Sequence, residues 1–178
     1  MRRTFLTSLL LSLAALGGCA SQPELATVPE VDLDRFMGDW YVIAHIPAPL
    51  ERNAFNAVES YARDGDRIQT TFTFNNKAFD GPSKEYQPNA IVVDEDSNAV
   101  WAMQFIWPFR SDFRIVQLGA DYDTTIIGRN KRDYVWIMAR EPALSEEIYT
   151  ALVNQVEEMG YDVSELRRVP QRWELTES

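Results

Sequence analysis

The sequence predicts an all-β protein: an eight-stranded antiparallel up-and-down β-barrel with one C-terminal α-helix packed on the outside. Three observations lead there. From Trp40 onward, segments of six to nine residues rich in Val, Ile, Phe, Tyr, Trp and Thr recur at about ten-residue intervals, separated by turn chemistry, a spacing that argues an all-β barrel or sandwich. The number of such segments is eight, which lets an up-and-down sheet close on itself and leave no edge strand. The period then changes once, to a helical one, after residue 144.

The elements follow in order. Met1–Gly18 combines a basic start (Arg2, Arg3) with an apolar run from Phe5 to Leu16, a signal peptide too short to span a bilayer as a mature helix. It ends in Leu16-Gly17-Gly18-Cys19, which resembles the bacterial lipobox; that resemblance implies acylation of the Cys19 thiol, cleavage before it, and a bacterial source. The competing reading is an ordinary secretory signal that leaves Cys19 as a free thiol. Ala20 rather than Asp resembles the outer-membrane sorting signal. Residues 19–31, with Pro23 and Pro29 and no periodic pattern, form the lipidated N-terminus and a tether, and 32–178 the folded domain.

Strands are predicted at Trp40–Ile46, Ala57–Ala62, Arg67–Asn75, Asn89–Asp94, Ala99–Trp107, Phe113–Gly119, Tyr122–Ile127 and Tyr134–Arg140. The turns between them include Asp64-Gly65-Asp66 and Asn75-Asn76. Ser145 then caps a helix with Glu146 and Glu147 in its favourable first turn; Ile148, Ala151, Leu152, Gln155, Val156 and Met159 form one face, and Gly160 stops it. A last extended piece covers Tyr161–Trp173.

Composition removes whole classes of function. The chain has 178 residues, with 12% aromatic and 46% hydrophobic side chains, so it folds, and its length suits one domain. Its 17 basic and 27 acidic side chains give −10; loss of Arg2 and Arg3 leaves the mature part at −12, which argues against a phosphate-tracking nucleic-acid binder. One Cys and one His allow no internal disulfide and supply too few ligands for a structural zinc; no metal and no cofactor are expected. Any serine or cysteine triad would have to be built around His45.

Alternation suggests what faces the barrel interior. Trp101, Met103, Phe105 and Trp107 share one parity; Tyr134, Trp136, Met138 and Arg140 share another strand's; Ile68, Thr70, Phe72 and Phe74 oppose Gln69, Thr71 and Thr73. An interior built from these is broad and aromatic with Met as soft filler. Patterning alone fits a packed core as well as a cavity. His45, on the parity opposite Trp40, Val42 and Ala44, is expected outside or at the rim, and Glu59, with Ala57 and Tyr61, is the one acidic side chain expected near the inward face.

Gly38-Asp39-Trp40-Tyr41, preceded by the Asp32–Met37 turn, resembles the Gly-x-Trp motif of lipocalins. Ala120-Asp121-Tyr122 resembles that family's Thr-Asp-Tyr element between strands six and seven, and Arg140 its third element at the end of strand eight. The stretches Asp133–Arg140 and Glu158–Ser164 look closer still to bacterial outer-membrane lipocalins and apolipoprotein D. Ala120 departs from the pattern by removing a hydroxyl at a structural turn. The resemblance implies that Gly38, Trp40, Asp121, Tyr122 and Arg140 are structural, with Arg140 lying across the Trp40 ring to close the barrel floor.

It further implies a non-enzymatic carrier, attached to the outer membrane through acylated Cys19 and facing the periplasm. Such a carrier binds a fatty acid, lysophospholipid or similar amphiphile as a monomer or homodimer. The expected ligand-contacting set is Tyr61, Phe72, Phe74, Trp101, Met103, Phe105, Phe113, Tyr134 and Trp136. Two other readings are a lipid-modifying enzyme on the same barrel and a structural envelope adaptor whose barrel is filled.

Overall fold

A computed structural model describes residues 22–173, with all side chains in that span except that of Ile106. The signal peptide and Cys19 lie outside the described residues. Ten strands form one antiparallel sheet: β1 (Gly38–Ile46), β2 (Ala54–Asp64), β3 (Arg67–Asn76), β4 (Ser83–Tyr86), β5 (Asn89–Val92), β6 (Val100–Ile106), β7 (Phe109–Leu118), β8 (Thr124–Gly128), β9 (Val135–Ala139) and β10 (Arg167–Arg168). From β1 to β3 and from β5 to β9 each strand pairs with the next, β4 and β5 both pair with β3, and β9 returns to pair with β1 from Tyr41↔Ala139 to Ile46↔Val135, so the sheet closes. The barrel has eight staves. β4 and β5 are one stave interrupted at Gln87-Pro88, where proline has no N–H for the ladder, and β10 is a short addition along β1.

The predicted strands match this set in order, but β4 and β10 are additional, β2 runs over Ala54–Asp64 rather than Ala57–Ala62, and β7 starts at Phe109 rather than Phe113. The Asp32–Met37 turn is a one-turn helix, α1 (Leu33–Phe36), capped by the Asp32 carboxylate, which accepts from the Asp34 and Arg35 N–H groups. The C-terminal helix, α2 (Glu146–Glu158), begins at its expected Ser145 cap, whose Oγ accepts from Ile148 N at 3.3 Å, and stops before Gly160, at φ +89°.

The helix face is rotated from expectation. Ile148 is 44% exposed, whereas Leu152 and Val156 are buried and Tyr149, Val153 and Met159 pack beside them. Both stripes share Leu152, Val156 and Met159, and the contact with Arg168, whose guanidinium sits 3.7 Å from the Tyr149 ring centroid, favours the Tyr149 side. Burial of Leu152 and Val156 contributes roughly 3–6 kcal/mol. The barrel thus has two apolar layers. One fills its inside around Phe36, Trp40, Tyr61, Trp101 and Phe113; the other lies between the outer wall and α2.

The segment expected to be a tether and the extended C-terminal piece are both built into the wall. Residues 22–31 run along β7: Leu25 is buried and its N–H donates to Asn130 Oδ1 at 2.8 Å, Val28 N donates to Ile115 O at 3.0 Å, and Val31 N to Ser97 O at 2.8 Å. At the other end of the chain, β1 and β2 pair only from Gly38↔Tyr61 to Tyr41↔Val58 and then diverge. The C-terminal tail fills that split, with Val169 N donating to Ile43 O at 2.9 Å and Gln171 Nε2 to Val42 O and Ala57 O at 2.8 and 3.1 Å.

Candidate functional site

The register defines two ends. The floor holds α1 and the start of β1; the mouth holds the β1–β2, β3–β4, β6–β7 and β8–β9 connections. At the floor the Arg140 guanidinium lies 3.8 Å from the Trp40 ring centroid. Its Nη1 donates to Asp39 O at 2.7 Å and its Nη2 to Arg35 O, Phe36 O and Met37 O at 2.8, 3.0 and 2.8 Å. These are carbonyls left free by the short helix and the turn that follows it. Trp40 is wholly buried and its indole N–H donates to Phe36 O at 2.9 Å.

Gly38 sits at φ +92°, a backbone conformation that side-chain-bearing residues rarely adopt. Tyr122, at φ 60°, accepts from Asp32 N through its hydroxyl at 2.8 Å and lies under the Arg35 guanidinium. Asp121 is exposed at the apex of the same turn.

Above the floor the described residues enclose a cavity of about 40 Å³, lined by Glu59, Tyr61, Met103, Phe105, Ser111, Asp112, Phe113, Ile127, Trp136 and Met138. Five of the nine expected ligand-contacting residues line it: Tyr61, Met103, Phe105, Phe113 and Trp136. Phe105 stands at the mouth, 49% exposed.

The other four are placed differently. Trp101 is committed to the floor, stacked on Phe113 at 4.8 Å and edge-on to Phe36 and Tyr61. Phe72 and Phe74 are buried inside the barrel against each other, and Phe74 stacks on Tyr86. Tyr134 is half-buried beneath the Arg129 guanidinium, 5.1 Å from its ring centroid, in the loop before β9. Parity puts all four on the inner side but leaves open whether a cavity reaches them.

The polar interior departs most from expectation. His45 is not at the rim; it is 3% exposed and paired with Trp136 across the β1–β9 ladder. A β-bulge between Val42 and Ala44 adds one residue to β1 and inverts the alternation beyond it, so Ala44 and Ile46 face α2 and His45 faces inward. Beside it is Glu51, from the β1–β2 loop, which sequence reasoning did not single out. Its buried carboxylate accepts from Ala48 N at 2.8 Å and from Trp136 Nε1 at 3.1 and 3.2 Å, and its Oε2 lies 3.6 Å from His45 Nδ1. The carboxylate thus pins residues 47–53 across the mouth. A Glu flanked by Pro47, Pro49 and Arg52 carries no local sign of burial.

Glu59 fulfils the expectation of an inward carboxylate. It pairs with Trp40 across the β1–β2 ladder, so it lies at the deep end of the cavity, and its Oε2 accepts from the Tyr61 hydroxyl at 2.8 Å. Burial pushes its carboxyl up to about 7; the Tyr61 hydrogen bond works against that and the Glu51 charge adds to it. Burial and the same carboxylate in turn hold the Tyr61 hydroxyl protonated well above the usual range. No Lys, Arg or His lines the cavity among the described residues. What the arrangement provides is a narrow apolar slot with a carboxyl–phenol pair at its base and an aromatic lip.

Comparison with known proteins agrees with this architecture. A family model described as a lipocalin-like domain matches residues 31–171. Temperature-induced lipocalin-1 of Arabidopsis thaliana is 29% identical over 157 residues, covering 83% of both chains. The outer membrane lipoprotein Blc of Vibrio cholerae is 24% identical over 174 residues, covering 97% of this chain and all of its own. Among solved structures, insecticyanin from the tobacco hornworm Manduca sexta superposes with a TM-score of 0.66 at 15% identity, over 86% of each chain, a likeness of fold. With its closed barrel, its Trp40–Arg140 floor and a family match over most of its length, the chain belongs to the lipocalin-like family.

Proposed function

We propose that this protein is a lipid-binding lipoprotein of the bacterial outer membrane, held by an acylated Cys19 on the periplasmic side, that carries one acyl chain of a fatty acid or lysophospholipid. The observation that supports this most is the slot itself. Its walls are Met103, Phe105, Phe113, Ile127, Trp136 and Met138, it opens toward the mouth at Phe105, and its two methionines and half-exposed phenylalanine can move aside at small cost. Ten buried methylenes at about 0.8 kcal/mol each contribute roughly 8 kcal/mol before ordering costs, in the range of micromolar binding. The deep carboxyl of Glu59 disfavours a second negative charge beside it, which keeps an acid head group at the mouth, near Arg52 and Lys131. The outer-membrane placement rests on the lipobox and on the likeness to Blc, an outer membrane lipoprotein.

A titration of the delipidated protein checks this reading. Binding of saturated acids or their lysophospholipids should tighten with chain length up to the octadecanoyl class and then level off, and Trp136 at the wall should report it by fluorescence. A polar residue at Phe105 should weaken binding while the barrel stays folded, and no ester should turn over. His45 and Glu51 do not line the slot; the titratable groups that do are Glu59, Tyr61 and Asp112, with no basic partner among the described lining residues.

The cavity's size favours a second reading. About 40 Å³ holds a few waters, well below the several hundred Å³ of ordinary ligand pockets, which suits a filled barrel that works through its surface. Absence of saturable binding by both calorimetry and fluorescence would select that reading over the carrier.

Attachment is checked separately. Cys19→Ser should shift the protein from the outer-membrane fraction to the soluble periplasm, since a diacylglycerol with an N-acyl chain exceeds what stable anchoring needs. A variant that still fractionates with the membrane would overturn the lipobox assignment.

A further inference from the structure

The charged and aromatic side chains of the barrel are segregated by end. Around the floor, Asp32, Asp34, Asp64, Asp66, Asp94, Glu95, Asp96, Asp121, Asp123 and Glu141 outnumber Arg35, Arg63, Arg67 and Arg140. Around the mouth the sign reverses. The loops and the hairpin tip carry Arg52, Lys77, Arg110, Arg129, Lys131 and Arg132 against Asp80, Asp133 and the buried Glu51, in a chain whose net charge is −10.

The two most exposed large apolar side chains, Trp107 and Phe109, stand at that same basic end. Toward its tip the β6–β7 hairpin is paired on one side only: the β5–β6 ladder ends at Asn89↔Gln104, β4 pairs with β3 alone, and the hairpin's own ladder is irregular between Met103 and Ile106. It presents Trp107 at 81% exposure and Phe109 at 75%, with Phe105 beneath, and Leu50 stands on the β1–β2 loop across the mouth.

The N-terminal segment ends there too. Pro23 O accepts from Arg132 Nη1 at 2.9 Å, Leu25 N donates to Asn130, and Glu24 pairs with Arg114, so Gln22 is held beside the β8–β9 loop, at the mouth end of the outer wall. Cys19 stands three residues before Gln22, a reach of at most about 11 Å. Anchored at Cys19, the barrel therefore has its mouth, not its acidic floor, within contact distance of the bilayer.

We propose that the mouth seats on a phospholipid bilayer containing anionic lipid, with Trp107 and Phe109 in the interfacial layer and the surrounding arginines and lysines over the head groups. Trp and Phe at a basic rim suit that layer, and each exposed cation gains from an anionic surface at low salt. The inference rests on the Cys19 attachment proposed above. Its consequence is that an acyl chain passes between bilayer and slot at Phe105 without crossing water.

The test uses the acylated protein in phosphatidylethanolamine–phosphatidylglycerol vesicles with brominated acyl chains. Trp107 should account for most of the tryptophan quenching, and Trp107→Ser should abolish that fraction without changing Tm. The unacylated Cys19→Ser protein should bind the same vesicles weakly and in a salt-dependent manner. Trp107→Ser with Phe109→Ser should reduce that binding tenfold or more, and Arg110→Gln with Lys131→Gln should reduce it only when phosphatidylglycerol is present. Equal quenching in wild type and Trp107→Ser overturns the docking while leaving the anchor intact. Loss of anchoring is read independently by the fractionation of Cys19→Ser. A concentration-dependent dimer that Trp107→Ser dissolves would assign the hairpin to a second copy of this chain and equally overturn the bilayer proposal.

Discussion

Replacing Trp40 by Ala is expected to cost about 3–5 kcal/mol of stability, lowering Tm by on the order of 10 °C or more. The side chain is wholly buried, packs against Phe36 at 5.0 Å between ring centroids, and is covered by Arg140 on its other side, so the surroundings cannot collapse into the space it leaves. Arg140→Ala should destabilise by about 2–4 kcal/mol through a different route. It takes the donor from the carbonyls of Arg35, Met37 and Asp39, leaves Phe36 O to the Trp40 indole N–H alone, and removes the cation from the indole. Arg140→Lys should recover little, because an ammonium can neither stack on the ring nor serve four acceptors in one plane. Both losses should precede any change in ligand choice. Thermal melts of the three variants check this, and melting temperatures equal to wild type would refute the floor assignment.

Glu59→Gln is expected to stabilise the protein in a strongly pH-dependent way. The folded carboxyl titrates at about 7 against 4.5 for an ordinary Glu. Below pH 4.5 the group is protonated in both states and contributes no difference. Between the two values the unfolded chain ionises first while the folded one keeps its proton, so stability falls as pH rises. Above pH 7 the folded protein carries a buried charge at a cost of about 3 kcal/mol. Gln keeps an acceptor for the Tyr61 hydroxyl and cannot ionise. The variant should therefore match wild type near pH 4 and exceed it by up to about 3 kcal/mol, on the order of 10 °C in Tm, at pH 8. Denaturant melts across this range decide the matter; parallel pH profiles for both proteins would mean that the carboxyl is hydrated in the slot. A ligand tail that displaces water from Glu59 should bind more tightly below pH 7 than above it.

Much of this architecture was legible in the chain. The strand spacing, the Ser145 cap, the Gly160 stop and the Gly38-Asp39-Trp40 and Arg140 elements are local signals, each set by propensity, turn chemistry or a short motif, and all appear where the sequence puts them. Tyr61, Met103, Phe105, Phe113 and Trp136 were found by counting in twos, which works as long as a strand adds no residue. His45 was misplaced because β1 does add one, between Val42 and Ala44, and nothing in Val42-Ile43-Ala44 announces it.

Only the tertiary structure decided how the inside of the barrel is used. A bulge forms where two neighbours disagree on register, and here β1 must satisfy β9 on one side while it leaves β2 for the C-terminal tail on the other. Glu51 is buried because the Trp136 indole needs an acceptor, a fact held 85 residues away. The cavity is narrow because Trp101, Phe72 and Phe74 spend their inward positions on packing with one another's neighbours. The sequence by itself determined the strands, the helix and the closing pair, since those depend on residues close along the chain. Closure of the ring determined the register, the inward polar cluster and the room left for a ligand, because each is a relation between strands that meet only when the sheet shuts.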